Sequence, residues 1–393
     1  MPATVKGPAT AAATAFDMRL VQRGARLRRS PFFEATQRSG ARAYTVYNHT
    51  LFPICFADLE EEYWHLLKHV TLWDVSVERQ VEITGPDAFR FMSLLTPRDL
   101  SRCAVGQGKY VVITAEDGGI INDPVLLRLG ENHFWLALAD SDVLLWARGV
   151  ALRAGMDVTL TQPDVSPLQV QGPQSRDVVA ALFGERAAGL KYYRFIETDL
   201  DGIPLVVTRT GWTGEVGFEV YLRDGSRGDE LWERIMKAGK PFQIRPTGPC
   251  DIRRIEAGIL NWGADITLED TPYHVGLERL VDQDRTDYIG ADALARIRAV
   301  GVARRLVGIE ISGRPLEMNA TQWPVHSDEE PVGHVTSAVF SPRLQKNIGY
   351  AMLPAARATI GTKLLVGIPG VGERKARVAE LPFIDQKKAI PKS

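Results

Sequence analysis

Glu219 and Tyr221 stand two residues apart in the run Phe218-Glu219-Val220-Tyr221. On an extended strand that spacing turns both side chains to one face and leaves Phe218 and Val220 on the other. A carboxylate beside an aromatic ring suits a flat, nitrogen-rich heterocycle, because the acid accepts ring N–H groups while the ring packs on the heterocycle's face. The same alternation also serves a solvated strand face. Other aromatic residues that could join such a site are Tyr44 and Tyr47 in Ala43-Tyr44-Thr45-Val46-Tyr47-Asn48-His49, the Tyr192-Tyr193 pair, and Trp212.

Three other patterns suggest chemistry and are answered by their context. Gly211-Trp212-Thr213-Gly214-Glu215-Val216-Gly217 approximates a dinucleotide fingerprint, but that fingerprint needs a strand before it and a helix after it. Here Leu205 to Thr208 and Phe218 to Leu222 both read as strands, so the glycines belong to the loop joining them. Gly367-Ile368-Pro369-Gly370-Val371-Gly372 contains proline between strand-like runs and reads as a hairpin turn. His65 and His69 are one helical turn apart and could share a metal ion, yet Leu66 stands where a metalloprotease places its Glu and no third ligand is in sight, so no metal site is expected. No G-x-S-x-G elbow or Cys–His pair supports nucleophilic catalysis.

The elements that must position these residues follow from periodicity. Asp58 stands as N-cap to an acid-rich helical run through His69. Arg79 to Thr84 alternates like a half-buried strand, and Gly85-Pro86-Asp87 turns it into a helix over 88–95. The same grammar returns at Ser166 to Gln171, where Gly172-Pro173 opens a helix running to Phe183, so two related α+β halves are expected. Beyond Ile297, short runs such as Arg305 to Ile311 and Val335 to Phe340, split by Gly and Pro, predict a small all-β C-terminal domain.

Composition bounds the rest. The 393 residues allow two or three domains. With 47 Lys and Arg against 48 Asp and Glu, the net charge of −1 lacks the positive field that nucleic-acid binding draws on. Three widely spaced cysteines, Cys55, Cys103 and Cys250, fit a reducing, cytoplasmic setting. Apolar runs are strand-sized, so no membrane span is expected, and the Ala- and Thr-rich N-terminus lacks the apolar core of a signal peptide.

Several segments together resemble the aminomethyltransferase (glycine-cleavage T-protein) family. Thr208-Arg209-Thr210-Gly211-Trp212-Thr213-Gly214-Glu215-Val216-Gly217-Phe218-Glu219 is similar to that family's T-G-Y-T-G-E-x-G-x-E motif, and Gly118-Gly119-Ile120-Ile121-Asn122-Asp123, Val170-Gln171-Gly172-Pro173 and Arg254-Ile255-Glu256-Ala257-Gly258 follow in the family's order. The resemblance implies an α+β, three-domain clover-leaf fold that binds tetrahydrofolate in a central opening, with a small C-terminal β-barrel. On it the chain divides into an N-terminal arm over 1–24, one folate-binding domain from 25–78 with 166–249, a second from 79–165 with 250–296, a β-domain over 297–384, and a frayed tail over 385–393. It further implies Glu219 on the pterin ring, Tyr221 and Tyr192 lining the folate site, Trp212 beside the methyl donor, and Asn122 or Asp123 at the position of the family's key carboxylate.

Departures from the glycine-cleavage pattern indicate a branch. Asn122 replaces an acid and Cys250 an arginine, while Ala43 to His49, Leu59 to Leu66 and Asp74 to Ile83 are similar to the branch that takes its methyl group from dimethylsulfoniopropionate. The implied partners are tetrahydrofolate and a small-molecule donor, with a homodimer among the assemblies the sequence allows. Other donors in the same superfamily are an N-methyl betaine, an aryl methyl ether or the aminomethyl arm of H-protein, and a non-catalytic folate binder is the rival reading. A sulfonium is drawn to aromatic faces by roughly 0.5–2 kcal/mol per good contact, which makes Trp212, Tyr44 and Tyr47 its cage candidates. Arg42, Arg79 and Lys109 are the candidates for the donor's carboxylate.

Overall fold

The computed structural model describes residues 27–327 and 330–393, and the arm expected over 1–24 lies outside them. Asp58 caps the helix Leu59–Lys68, its carboxylate accepting from the Glu60 and Glu61 amides, and three acids occupy the first turn where the helix dipole favours them. The strand Thr71–Asp74 follows directly. Two strand–turn–helix units then appear as the sequence predicts: Gln80–Thr84 into Ala88–Leu95, and Ser166–Gln171 into Ser175–Phe183. Both turn at a glycine with φ +119°, Gly85 and Gly172. A Cβ on Gly172 would stand 2.4 Å from the His69 carbonyl oxygen, so the turn admits only glycine.

Each unit belongs to its own sheet. The six-stranded sheet runs Phe195–Leu200, Ile203–Thr208, Gly217–Leu222, Ser166–Gln171, Thr71–Asp74 and Arg245–Pro246, antiparallel except for the last, parallel pair. Leu72, Val170, Phe218 and Val220 bury one of its faces against Val178, Val179 and Trp232 of two helices, Ser175–Phe183 and Gly228–Gly239. The five-stranded sheet runs Thr159–Thr161, Gln80–Thr84, His133–Ala137, Val125–Gly130 and Gln107–Tyr110, with Phe91, Met92, Leu126 and Phe134 in its core. Burying each such large apolar side chain contributes about 1.5–3 kcal/mol.

The strands expected beyond residue 297 close into a six-stranded barrel, from Arg304–Ile311 to Gly372–Ala379, around Ile309, Val325, Val335 and Val366. The short helix Asp251–Glu256 docks on it through Arg254 and Glu256, whose side chains are wholly buried. Arg254 meets Asp265 at 2.7 Å and Asp251 at 2.6 Å and donates to Ser337, while Glu256 accepts from Tyr63, Ser341 and Arg343. Among the described residues no helix is long and apolar enough to cross a membrane.

Residues 385–393 differ from the frayed tail expected of them. The Asp385 carboxylate accepts from the Ala389 and Ile390 amides, Pro391 is buried, and the Ser393 carbonyl oxygen accepts from Arg176 and Arg209. The segment has little to bury of its own; its order comes from partners some two hundred residues away in sequence.

Candidate active site

A cavity of about 730 Å3 opens among the two sheets, the Asp251–Glu256 helix and the 385–393 segment. Its size is that of a small-molecule site. One wall is a row of side chains in register across neighbouring strands, with Trp73 opposite Gln169, Gln169 opposite Glu219, and Glu219 opposite Thr208. Glu219 is buried. One of its oxygens accepts from Gln169 Nε2 at 2.9 Å, and the other from Thr210 and Tyr221 hydroxyls at 2.7 Å each. Burial raises its carboxyl above the ordinary range, and those donors pull it back. The Gln169 Oε1 is a buried acceptor without a hydrogen-bond partner among the described residues. Glu219 and Gln169 thus present acceptors side by side, which fits the adjacent N–H donors of a pterin such as that of tetrahydrofolate.

The glycine-rich segment lies between two strands, Ile203–Thr208 and Gly217–Leu222, as read from the sequence. Its glycines make room for Gln171, whose side chain donates to the Thr210 and Phe218 carbonyls and accepts from Thr213. A Cβ on Gly211 would stand 2.2 Å from Gln171 Oε1. The loop is therefore closed on a protein side chain rather than on a phosphate.

The structure separates Asn122 from Asp123. Asn122 is fully buried, donates to Ala139 O and Ser141 Oγ and accepts from the Ala139 amide, so its polar atoms are spent within the fold. Asp123 lines the cavity and accepts from the Tyr110 hydroxyl at 2.8 Å. Burial pushes its carboxyl up to about 7. Tyr192, Tyr47 and Trp212 also line the cavity. Tyr221 lies behind Glu219, its ring against Trp135, and orients the acid instead of facing the opening. Tyr44 is not brought to the cavity: its ring packs on Phe33 and its hydroxyl pairs with Thr36. Trp212 shares its ring with the Arg254 guanidinium, 5.5 Å from the ring centre.

Of the three cations considered for a donor carboxylate, Lys109 lines the cavity, whereas Arg79 is taken up by Gln162 and Arg42 is not among the lining residues. Sequence reasoning missed Arg253. It is fully buried, bonded through Nε to Glu215 at 2.7 Å and through Nη2 to the Gly214 carbonyl, and its Nη1 stands 3.8 Å from the Glu256 carboxylate without a hydrogen-bond partner among the described residues. Trp73 Nε1 is a second buried, unpartnered donor on the same cavity. Sequence reasoning also missed Glu78, which lines the cavity and is driven well above the ordinary carboxylate range by burial and by the charge of Glu219. The signal available for Gln169 was a polar amide inside an otherwise apolar strand.

His65 and His69 stack with ring centres 4.9 Å apart, and each spends a nitrogen on the fold, His65 on the Gln243 carbonyl and His69 on Gln174. Among the described residues no three His, Cys, Asp or Glu side chains gather as a metal ion would need.

Two largely antiparallel sheets, a closed C-terminal barrel and an acid-lined aromatic cavity define a class. Residues 32–285 match the GCVT N-terminal domain and residues 304–385 the glycine cleavage T-protein C-terminal barrel domain. The chain belongs to the glycine-cleavage T-protein family. Within it, the chain is 40% identical over 355 residues to the dimethylsulfoniopropionate demethylase DmdA of Ruegeria pomeroyi, covering 90% of this chain and 97% of that protein. It is 30% identical over 365 residues to an aminomethyltransferase of Halalkalibacterium halodurans, covering 91% and 98%. The crystal structure of the glycine cleavage system aminomethyltransferase T from Bartonella henselae superposes with a TM-score of 0.82 at 26% identity, covering 92% of this chain and 99% of that one.

Proposed function

We propose that this chain transfers a methyl group from the sulfonium of dimethylsulfoniopropionate to N5 of tetrahydrofolate, yielding 3-(methylthio)propionate and 5-methyltetrahydrofolate. The C–S bond breaks with its electron pair leaving on sulfur as a neutral thioether, the N5 lone pair forms the new bond to carbon, and the methylated N5 then gives up its N–H proton to solvent. The leaving group needs no proton, so the residues act by binding, orienting and excluding water.

The observation that carries the folate reading is the row Trp73, Gln169, Glu219, with two neighbouring acceptors held rigidly on a strand and one of them unpartnered. The likeness to the DmdA relative supports the donor. Glu219, fixed by Thr210, Tyr221 and Gln169, holds the pterin, and Tyr192 covers it. Tyr47 and Trp212 offer aromatic faces to the sulfonium, with Asp123 as its counter-charge. Arg253 Nη1 and Trp73 Nε1 supply the donors a carboxylate needs, which moves this role away from Arg42 and Arg79. The three free cysteines accord with a cytoplasmic, reducing setting.

The test is an anaerobic incubation with tetrahydrofolate and dimethylsulfoniopropionate, following both products. Equal amounts of 3-(methylthio)propionate and 5-methyltetrahydrofolate are expected. Folate binding without either product would overturn the donor and turn attention to betaines and methyl ethers.

A further inference from the structure

Hairpin tips ordinarily lie in water, but the tip of the hairpin that carries Tyr47 is half sunk into the protein. Ala43–Tyr47 and Thr50–Cys55 form a two-stranded sheet of their own and turn through Asn48 and His49, both with positive φ, 47° and 59°. Asn48 is 2% exposed, whereas the His49 side chain is 58% exposed. Thr45, Tyr47, Phe52 and Ile54 give the hairpin's inner face to the cavity, and Asn48 is not among the lining residues. A two-stranded hairpin is marginal by itself, so the place of Tyr47 depends on what holds the tip.

Asn48 is what holds it. Its Nδ2 donates to the Val77 carbonyl at 2.9 Å and to the Ala139 carbonyl at 3.0 Å, and its backbone amide donates to Asp140 Oδ1 at 2.8 Å. Val77 immediately precedes Glu78 in the link between the two large sheets. The Ala139 carbonyl is fixed from its other side by Asn122 Nδ2 at 3.0 Å, and Asn122 immediately precedes Asp123. Tyr47, Glu78 and Asp123 are thus each the chain neighbour of a residue in one buried junction. The charges of Asp123, Glu78 and Asp140 all act on the Tyr47 phenol, which agrees with its place at the acidic end of the cavity.

We infer that Asn48 is a positioning residue for the methyl donor: through the Val77 and Ala139 carbonyls it sets the Tyr47 ring where the sulfonium meets it, at the Asp123 end of the cavity. The inference rests on the donor reading above. A cation gains from an aromatic ring only over the ring's face and within about 6 Å of its centre, so a hairpin freed to shift forfeits the contact. The pterin end, built on Gln169 and Glu219 of the six-stranded sheet, keeps its own register.

Calorimetric titration of the full chain with dimethylsulfoniopropionate, and separately with tetrahydrofolate, reads the two ends without turnover. Asn48→Gly keeps the left-handed backbone free of strain and removes only the amide. It should weaken donor binding about two- to tenfold, the range of one good cation–π contact, and leave folate affinity close to wild type. In a Tyr47→Ala background the same substitution should cost the donor little more, because its effect runs through that ring, whereas a structural loss would weaken both backgrounds alike. Asp140→Ala releases the Asn48 amide from a half-buried position and guards against misfolding of Asn48→Gly. It should also weaken the donor, and Asp140→Asn, which keeps an oxygen acceptor, should restore it. Unchanged donor affinity in Asn48→Gly and Asp140→Ala, a loss that falls equally on folate, or an equal loss in the Tyr47→Ala background overturns the inference. A wild type that binds tetrahydrofolate but not dimethylsulfoniopropionate removes the donor reading itself, and this inference with it.

Discussion

Glu78 and Glu219 line the same cavity, and both carboxyls are held above the ordinary range, Glu78 by burial and by the charge of Glu219, and Glu219 by burial. Two acids that sense each other's charge ionise one after the other. If Glu219 must be ionised to accept pterin N–H groups, folate binding weakens as pH falls through its raised value. The Glu219 charge holds Glu78 protonated, so Glu219 ionises first and the neutral Glu78→Gln should leave the pH at which folate affinity is lost close to wild type. Folate titrations between pH 5 and 8 read this, and a clear shift of the profile in the variant would sink that order of ionisation.

Glu219→Gln replaces one acceptor with an amide and leaves the Thr210 and Tyr221 hydroxyls without their carboxylate. A hydrogen bond to a charged group contributes about 1.5–3 kcal/mol, which corresponds to roughly 10- to 100-fold in folate affinity. The donor's KM should change far less. Undisturbed folate titration in this variant would remove Glu219 from the pterin.

Asp123 and Asn122 are adjacent yet should fail differently. With its carboxyl at about 7, Asp123 is mostly protonated below neutrality and mostly ionised above it. As the counter-charge of a cationic donor it makes kcat/KM for the donor rise with pH through about 7. Asp123→Asn should flatten that rise. Asn122→Ala should keep the rise but lose about 1–3 kcal/mol of stability, since it strands the Ala139 and Ser141 groups it serves. Parallel pH–rate profiles and thermal melts separate the two.

The contrast between these neighbours shows what the sequence could convey. Strand and helix periods, and the Gly-Pro turns at Gly85 and Gly172, are local signals, so the two units and the barrel were legible without coordinates. Glu219 and Tyr221 were legible as a pair because strand alternation is local too, although alternation could not tell that Tyr221 lies behind the acid. Which of Asn122 and Asp123 faces the cavity depends on the sheet packed against them. Glu78 lies in the link between Thr71–Asp74 and Gln80–Thr84, strands that enter different sheets, and nothing local shows that it lines the same cavity as Glu219. The tail misled for the same reason: Lys- and Pro-rich residues read as solvated until Arg176 and Arg209 arrive from the body of the protein.

Trp212→Ala should raise the donor's KM by only a few-fold. An exposed cation–π contact is worth about 0.5–1 kcal/mol, and this ring already serves Arg254. Tyr47→Ala should raise it at least as much, because Tyr47 lines the cavity with its ring against Phe52. Tyr44→Phe should leave donor kinetics unchanged, its hydroxyl being paired with Thr36 away from the cavity. A large effect of Tyr44→Phe on donor KM, or none from Tyr47→Ala, would redraw the cage.

Asp265 ties the catalytic half of the chain to the barrel. One of its oxygens pairs with Arg254 at 2.7 Å, and the other accepts from the Thr336 and Ser337 hydroxyls. Asp265→Ala leaves Arg254 buried with Asp251 as its remaining carboxylate partner. Breaking a buried pair by removing one partner costs about 3–5 kcal/mol, a large fraction of a domain's stability, so the melting temperature should drop by several degrees or more. Asp265→Asn, which keeps the shape and part of the hydrogen bonding, should cost less. Because the Arg254 guanidinium lies over Trp212, loosening it should also raise the donor's KM while leaving the Glu219 end of the cavity, and hence folate affinity, close to wild type. A stable Asp265→Ala protein with unchanged donor KM would show that the barrel contact and the Trp212 wall are independent.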